Sequence, residues 1–240
     1  SGTHVINDAE INSVSIDLVG STWKAKTSAV SVIKPNTTGY WRWVSIHNGA
    51  IDGNSRASNG IQFSQVYAGR LIVDCIDVVH CDKGIYKPQG NIGNRYSAVG
   101  ISYCNYGYYA VSQTTPVLMQ AGCDILNGIH IGNCDLAAIY IDSPADGTGQ
   151  TIVDGAIFEY NAGFGVFVAN YNGAINPLEF RNVWMEGNHT AGSVTINGTA
   201  YTPKDWYLKN ASQVKITGSE VSSLTAENSD IIFEQCKSIV

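Results

Sequence analysis

Five copies of one short phrase decide the fold: DVVHCD (77–82), GISYCN (100–105), HIGNCD (130–135), AIFEYN (156–161) and VWMEGN (183–188). Each is an apolar, strand-like run that closes on Asn or Asp. Four are followed within a few residues by a small residue and a second β-type run: Gly84-Ile85-Tyr86, Gly107-Tyr108-Tyr109, Ala138-Ile139-Tyr140 and Gly165-Val166-Phe167. The closing residues Asp82, Asn105, Asp135, Asn161 and Asn188 are 23, 30, 26 and 27 residues apart. A period of about 20 to 30 residues built from short strands and turns marks a solenoid. Each unit is too short to bury its own apolar face, so it must stack on the next to make a core. The expected fold class is all-β, a parallel solenoid.

Composition agrees. Charged residues make up 14% of the 240 residues, against about 25% in an average globular domain. Polarity comes instead from 20 Asn, 25 Gly and many Ser and Thr, which favour tight turns and are poor helix formers. No window longer than about ten residues joins good helix formers to a 3.6-residue period. A net charge of −6 without a basic cluster argues against nucleic acid as a partner. No run of about 20 apolar residues is present, so membrane insertion is not expected.

Six cysteines could suggest a disulfide set, but Cys81, Cys104 and Cys134 hold the same place in successive units. Stacking would set them in a ladder about 4.8 Å apart, as small apolar core residues. No CxxC pair or His-x-x-x-His supports zinc, and no metal or cofactor is expected.

Residues 1–43, irregular and punctuated by Trp23, Tyr40, Trp41 and Trp43, form a lead-in or capping segment, and 44–240 form the repeat domain. The string Asn48-Gly49-Ala50-Ile51-Asp52-Gly53-Asn54 resembles an early coil of pectate-lyase-like β-helices, and the five phrases match the coil pattern of that superfamily. WMEGN (184–188) and the segment Val221–Cys236 look like the central domain of bacteriophage tailspikes that depolymerise capsule or O-antigen. The resemblance covers most of the chain as coil pattern. It implies a right-handed, single-stranded parallel β-helix, a homotrimer, and a place in a phage tail that acts at the bacterial surface. The abrupt end at Ser238-Ile239-Val240 reads as a piece of a longer chain.

The phrases also sort the candidates for chemistry. The closing Asn and Asp residues are expected to stack at a corner and hydrogen-bond backbone. Two positions earlier stand His80, Tyr103, Asn133, Glu159 and Glu186. Glu159 and Glu186, two of only seven glutamates, would sit about 4.8 Å apart on neighbouring coils. That is near the spacing at which paired carboxylates act as acid and nucleophile in retaining glycoside hydrolysis, and like charges so placed push one pKa up. Asp154 would support them, with Arg181 in the matching place one coil on, as a salt bridge or a grip on a charged sugar. Tyr103, Tyr106, His130 and Asn133 are candidate sugar contacts, since exposed rings can stack on sugars. Trp184, aligned with Val78, Ile101, Ile131 and Ile157, is expected in the core.

The expected function is hydrolysis of a bacterial capsular polysaccharide or lipopolysaccharide O-antigen, with Glu159 and Glu186 as acid and nucleophile or base. A lyase acting on a uronate-containing capsule is the enzymatic alternative, with His130 or a tyrosine as base and Arg181 or Arg95 neutralising the uronate. A non-catalytic carbohydrate-binding or structural β-helix is the third. The strings that mark polygalacturonases, a P-loop and G-x-S-x-G are all absent from the sequence.

Overall fold

The computed structural model describes residues 4–6, 10–11, 14–25, 31–35, 40–41, 43–55, 58–62, 71–87, 93–111, 124–142, 150–171 and 177–237. They form a parallel β-solenoid, with no helix among the described residues. Each complete coil carries three short strands, and equivalent strands stack in parallel into three faces. The first face holds the second half of Leu71–Val79, then Gly100–Ser102, His130–Gly132, Ile157–Glu159 and Trp184–Glu186. The second runs from Asn59–Gln62 through Lys83–Lys87, Tyr106–Val111, Ala137–Asp142 and Phe164–Ala169 to Trp206–Lys209 and Leu224–Glu227. The third joins the first half of Leu71–Val79 to Arg95–Ser97, Asp124–Asn127, Thr151–Asp154, Leu178–Arg181, Val214–Thr217 and Ile231–Glu234. Most strands within 1–43 lie in these same sheets: Val14–Asp17 and Thr22–Lys24 pair with Val44–Asp52, and Ser31–Pro35 pairs with Asn59–Gln62, while Glu10–Ile11 and Tyr40–Trp41 pair only with each other.

Single residues in the left-handed region turn the corners. Entry to the first face is made by Asn48, Cys75, Ala98, Gly128, Gly155 and Asn182, and exit from it by His80, Tyr103, Asn133, Tyr160 and Gly187, all at φ between 48° and 62°. Such a residue reverses the local pleat without breaking the ladder, because its own N–H still reaches the next rung. Examples are Asn133 to Glu159 O at 3.2 Å and Tyr160 to Glu186 O at 2.8 Å. Left-handed backbone costs an L-residue about 1–2 kcal/mol, and the stacked sheets on either side hold it there.

Side chains between the faces form one continuous core. On the first face its column is Val78, Ile101, Ile131, Phe158 and Met185, none more than 4% exposed. Cys81, Cys104 and Cys134 are fully buried thiols outside any disulfide, as expected. The closing residues, however, do not form one column. In the first three phrases Cys follows the corner residue and Asn or Asp comes next. In the last two the Cys position is itself Asn. Cys134 N–H donates to Asn161 Oδ1 at 2.9 Å, and Asn161 N–H to Asn188 Oδ1 at 3.3 Å, so the buried asparagines continue the cysteine ladder.

That one-residue slip corrects two expectations. Glu159 pairs with Gly132, not with Asn133. Trp184 pairs with Ile157, in register with His130 and Gly100; it faces outward and is 53% exposed. Trp184→Ala should therefore change unfolding free energy by less than about 0.5 kcal/mol, as at an ordinary surface site. Phe158→Ala, one rung back in the true core column, should cost about 3–5 kcal/mol. Urea unfolding of the two variants checks the assignment, and a large loss for Trp184→Ala would overturn it.

Candidate functional site

The outer surface of the first face carries two columns of side chains beside the exit corner. The first reads Asp77, Gly100, His130, Ile157 and Trp184. The second reads Val79, Ser102, Gly132, Glu159 and Glu186. Each column contains one glycine, and each glycine removes a side chain where its neighbours are large. A Cβ at Gly100 would collide with Asp77 Oδ1, which leans over it. A Cβ at Gly132 would lie 3.4 Å from Glu159 Cγ and 3.9 Å from His130 Nε2. The two gaps, one rung apart, merge into a groove of about 390 Å³ walled by Asp77, Tyr103, His130, Asn133 and Glu159.

Within the groove His130 Nε2 and Glu159 Oε1 are 2.8 Å apart and share one hydrogen. Tyr103 is half exposed and stacks on His80 with centroids 5.6 Å apart and planes 24° from parallel. Its ring thus offers a fixed flat surface at the groove edge. One rung past Glu159, both oxygens of Glu186 are held. Oε1 accepts from Tyr160 Oη and Oε2 from Trp184 Nε1, each at 3.3 Å. The charge of Glu186, then the hydrogen bond to it, raises the Tyr160 hydroxyl above its ordinary pKa. Tyr160 and Trp184 are both about half exposed.

In the other direction the face continues into a second recess of about 230 Å³, bounded by Lys24, Asp52, Asn54, Ser55 and His80. Lys24 Nζ lies 3.2 Å and His80 Nδ1 3.4 Å from the Asp52 carboxyl. Burial raises the pKa of that carboxyl, but the Asn54 N–H and Lys24 outweigh it and hold it below its ordinary value. From Asp52 to Glu186 the face spans five rungs, about 24 Å.

Four of the eight candidate residues, Tyr103, His130, Asn133 and Glu159, therefore meet at one groove, with Glu186 adjoining it. Three do not. Tyr106 belongs to the second face and is buried, its ring against Tyr109 at 4.7 Å and Tyr140 at 5.3 Å. Burial, and then the charge of Asp82, push its hydroxyl up to about 12, and its ring packs within the second face, away from the groove. Asp154 and Arg181 are register partners on the third face, but the expected salt bridge between them is not formed. Arg181 pairs with Glu179 on its own strand, and Asp154 accepts from Asn182 Nδ2 at 3.1 Å. Arg95 is exposed on the third face as well.

Sequence reasoning missed Asp77, Gly100 and Gly132. The available signal was their place in the outward positions of the phrases, where a glycine beside a carboxylate marks a gap and a wall. Among the described residues no three His, Cys, Asp or Glu side chains converge as a metal site. Comparison of the chain with protein-family models, with curated proteins and with solved structures returned no match in any of the three. Function must therefore be argued from this face.

Proposed function

We propose that the chain binds and depolymerises a bacterial surface polysaccharide, a capsule or an O-antigen, by glycoside hydrolysis on the first face, as a tailspike domain of a phage virion. The tailspike setting and the homotrimer that goes with it are carried over from the sequence resemblance. The observation that supports the chemistry is the glycine-floored groove. It is lined by residues of four successive coils, edged by a half-exposed tyrosine, and contains a carboxyl group already engaged with an imidazole. A polymer laid along the stack could rest sugar rings on Tyr103, Tyr160 and Trp184, where flat apolar area and a polar edge occur together. Glu159, sharing a hydrogen with His130, is the group placed to pass a proton to a glycosidic oxygen. Two further carboxylates stand on this face: Glu186, one rung on, and Asp77, on the far wall of the groove.

The His130–Glu159 pair also has the form of an imidazole–carboxylate base, which favours elimination as a second reading. The arginines that would neutralise a uronate, Arg95 and Arg181, lie on the third face, so hydrolysis is preferred. Incubation with purified capsular polysaccharides and O-antigen chains separates the cases. Shorter chains with new reducing ends and no ultraviolet absorbance are expected. An absorbing unsaturated product would make the chain a lyase with His130 as its base. Binding without any cleavage would leave a carbohydrate-binding module.

A further inference from the structure

Granting the carbohydrate reading of this face, we infer that Tyr160, Trp184 and Glu186 form a subsite beside the groove for an uncharged sugar residue. In it the Glu186 carboxylate holds the two rings in place and takes no part in breaking the glycosidic bond.

Trp184 and Glu186 stand two residues apart on one strand, so their side chains leave the same side of the sheet. Tyr160 turns the corner of the preceding coil and reaches Glu186 twice. Its N–H donates to the Glu186 carbonyl at 2.8 Å, and its Oη donates to Oε1 at 3.3 Å. Trp184 Nε1 donates to the other carboxyl oxygen, also at 3.3 Å. The Tyr160 ring lies against Gly187, where a Cβ would come within 2.9 Å of it. One carboxylate therefore ties down two rings that are each about half exposed. Ile157, exposed as well, adds apolar surface in the column between His130 and Trp184.

Large apolar side chains exposed together mark a binding surface, and two details of this one favour a sugar. A side chain that is loose in the free protein must be ordered on binding, which weakens affinity by about 2- to 12-fold for each. Glu186 orders both rings beforehand, leaving their apolar area for a ligand to stack on. The patch is also continuous with the groove, through His130 and Ile157 in one column and Glu159 and Glu186 in the other, so a polymer lying in the groove runs on to it. Charge selects the class of sugar. Neither outward column carries a lysine or arginine between Asp77 and Glu186. The charge of Glu186 first, and that of Glu159 more weakly, bears on the Tyr160 hydroxyl. An acidic sugar would meet two carboxylates here and no fixed cation. Glu186 has both oxygens engaged and lies outside the groove wall, which leaves proton transfer to Glu159 and His130 within it.

The test takes whichever purified capsular polysaccharide or O-antigen chain the wild-type protein binds, and measures Kd by calorimetry beside kcat and KM. Glutamine at position 186 keeps one acceptor and turns an amide toward the other donor. Glu186→Gln should therefore raise Kd and KM by about 2- to 12-fold and leave kcat in place. Trp184→Ala and Tyr160→Ala should each weaken binding as well. With both rings removed, Glu186→Gln should change nothing further, because a residue that acts only through two side chains is silent without them. A kcat lowered about 100-fold or more by Glu186→Gln, as for an acid–base group, and lowered equally without the rings, would overturn the assignment and make Glu186 a catalytic carboxylate. Tighter binding by Glu186→Gln would overturn the uncharged class and put an acidic sugar there. Unchanged Kd in both ring variants would show that no sugar rests on the patch and that another occupant, such as a second copy of the chain, covers it. If the wild type binds no polysaccharide at all, the carbohydrate reading of the whole face falls, and this subsite with it. All three side chains are exposed, so the variants should fold, and urea unfolding confirms it.

Discussion

Asp124→Ala should destabilise the solenoid by about 3–5 kcal/mol, the cost of leaving one member of a buried ion pair alone. Asp124 is fully buried, and its Oδ2 pairs with the Nζ of Lys87, a side chain only 8% exposed. Tyr108 Oη donates to the same oxygen at 2.9 Å, while Oδ1 accepts from Asn94 Nδ2 at 2.9 Å and from Asn94 N–H at 3.2 Å. Asn94 Oδ1 in turn accepts from Leu71 N–H at 3.2 Å. One carboxylate thus ties the end of a second-face strand to the starts of two third-face strands. Burial, then the charge of Asp124, hold the Tyr108 hydroxyl well above its ordinary pKa, so that tyrosine cannot take over as the anion. Alanine would strand the Lys87 ammonium inside an apolar stack. Against a total of about 5–15 kcal/mol for a typical domain, the loss is large. Replacing both charges, Lys87→Met with Asp124→Leu, should recover only the part owed to the stranded ammonium, because Tyr108 Oη, Asn94 Nδ2 and Asn94 N–H still lose their acceptor. Urea unfolding of the two single variants and the double checks this. Single variants within about 1 kcal/mol of the parent would show that solvent reaches the pair.

The solenoid was legible because stacking repeats imposes the same demands on every coil. Small thiols at Cys81, Cys104 and Cys134 and branched aliphatics at Val78, Ile101 and Ile131 recur at fixed distances from the same corner. The register was less legible. Asn105 and Asn161 are the same letter after the same kind of strand, yet one lies just past the ladder of buried thiols and the other is a rung of it. Only the number of residues between corner and asparagine, one after Tyr103 and none after Tyr160, distinguishes them. Glu159 and Glu186 stayed aligned because both coils slipped together, whereas Trp184 was carried into the wrong column. Aromatic letters were ambiguous for a related reason. Tyr103 follows the strand and sits on the corner, while Tyr106 begins the next strand and packs against Tyr109 and Tyr140. The groove itself was hardest to read, since it consists of side chains that are missing, and a search for reactive residues passes over glycine.

The groove is most directly tested by filling it, with Gly100→Val. Gly100 lies in a strand and is not at positive φ, so its backbone accepts a β-branched residue. Valine there should fold as well as glycine or better by up to about 1 kcal/mol, since glycine is the costlier choice inside a strand. The atom in the way is an oxygen of Asp77, the far end of an exposed side chain that can swing outward. Catalysis should respond quite differently. The added methyl groups occupy the floor between Asp77 and His130, lift the sugar and turn the Asp77 carboxyl away from it. A displacement of about 1 Å in a catalytic site costs about 100-fold, so kcat/KM on the cleaved polysaccharide should fall by at least that factor while the melting temperature holds or rises. A valine that keeps full activity would mean that the polymer does not enter this groove. The reacting bond would then lie further along the face, at Glu186 and Trp184, or against a neighbouring subunit.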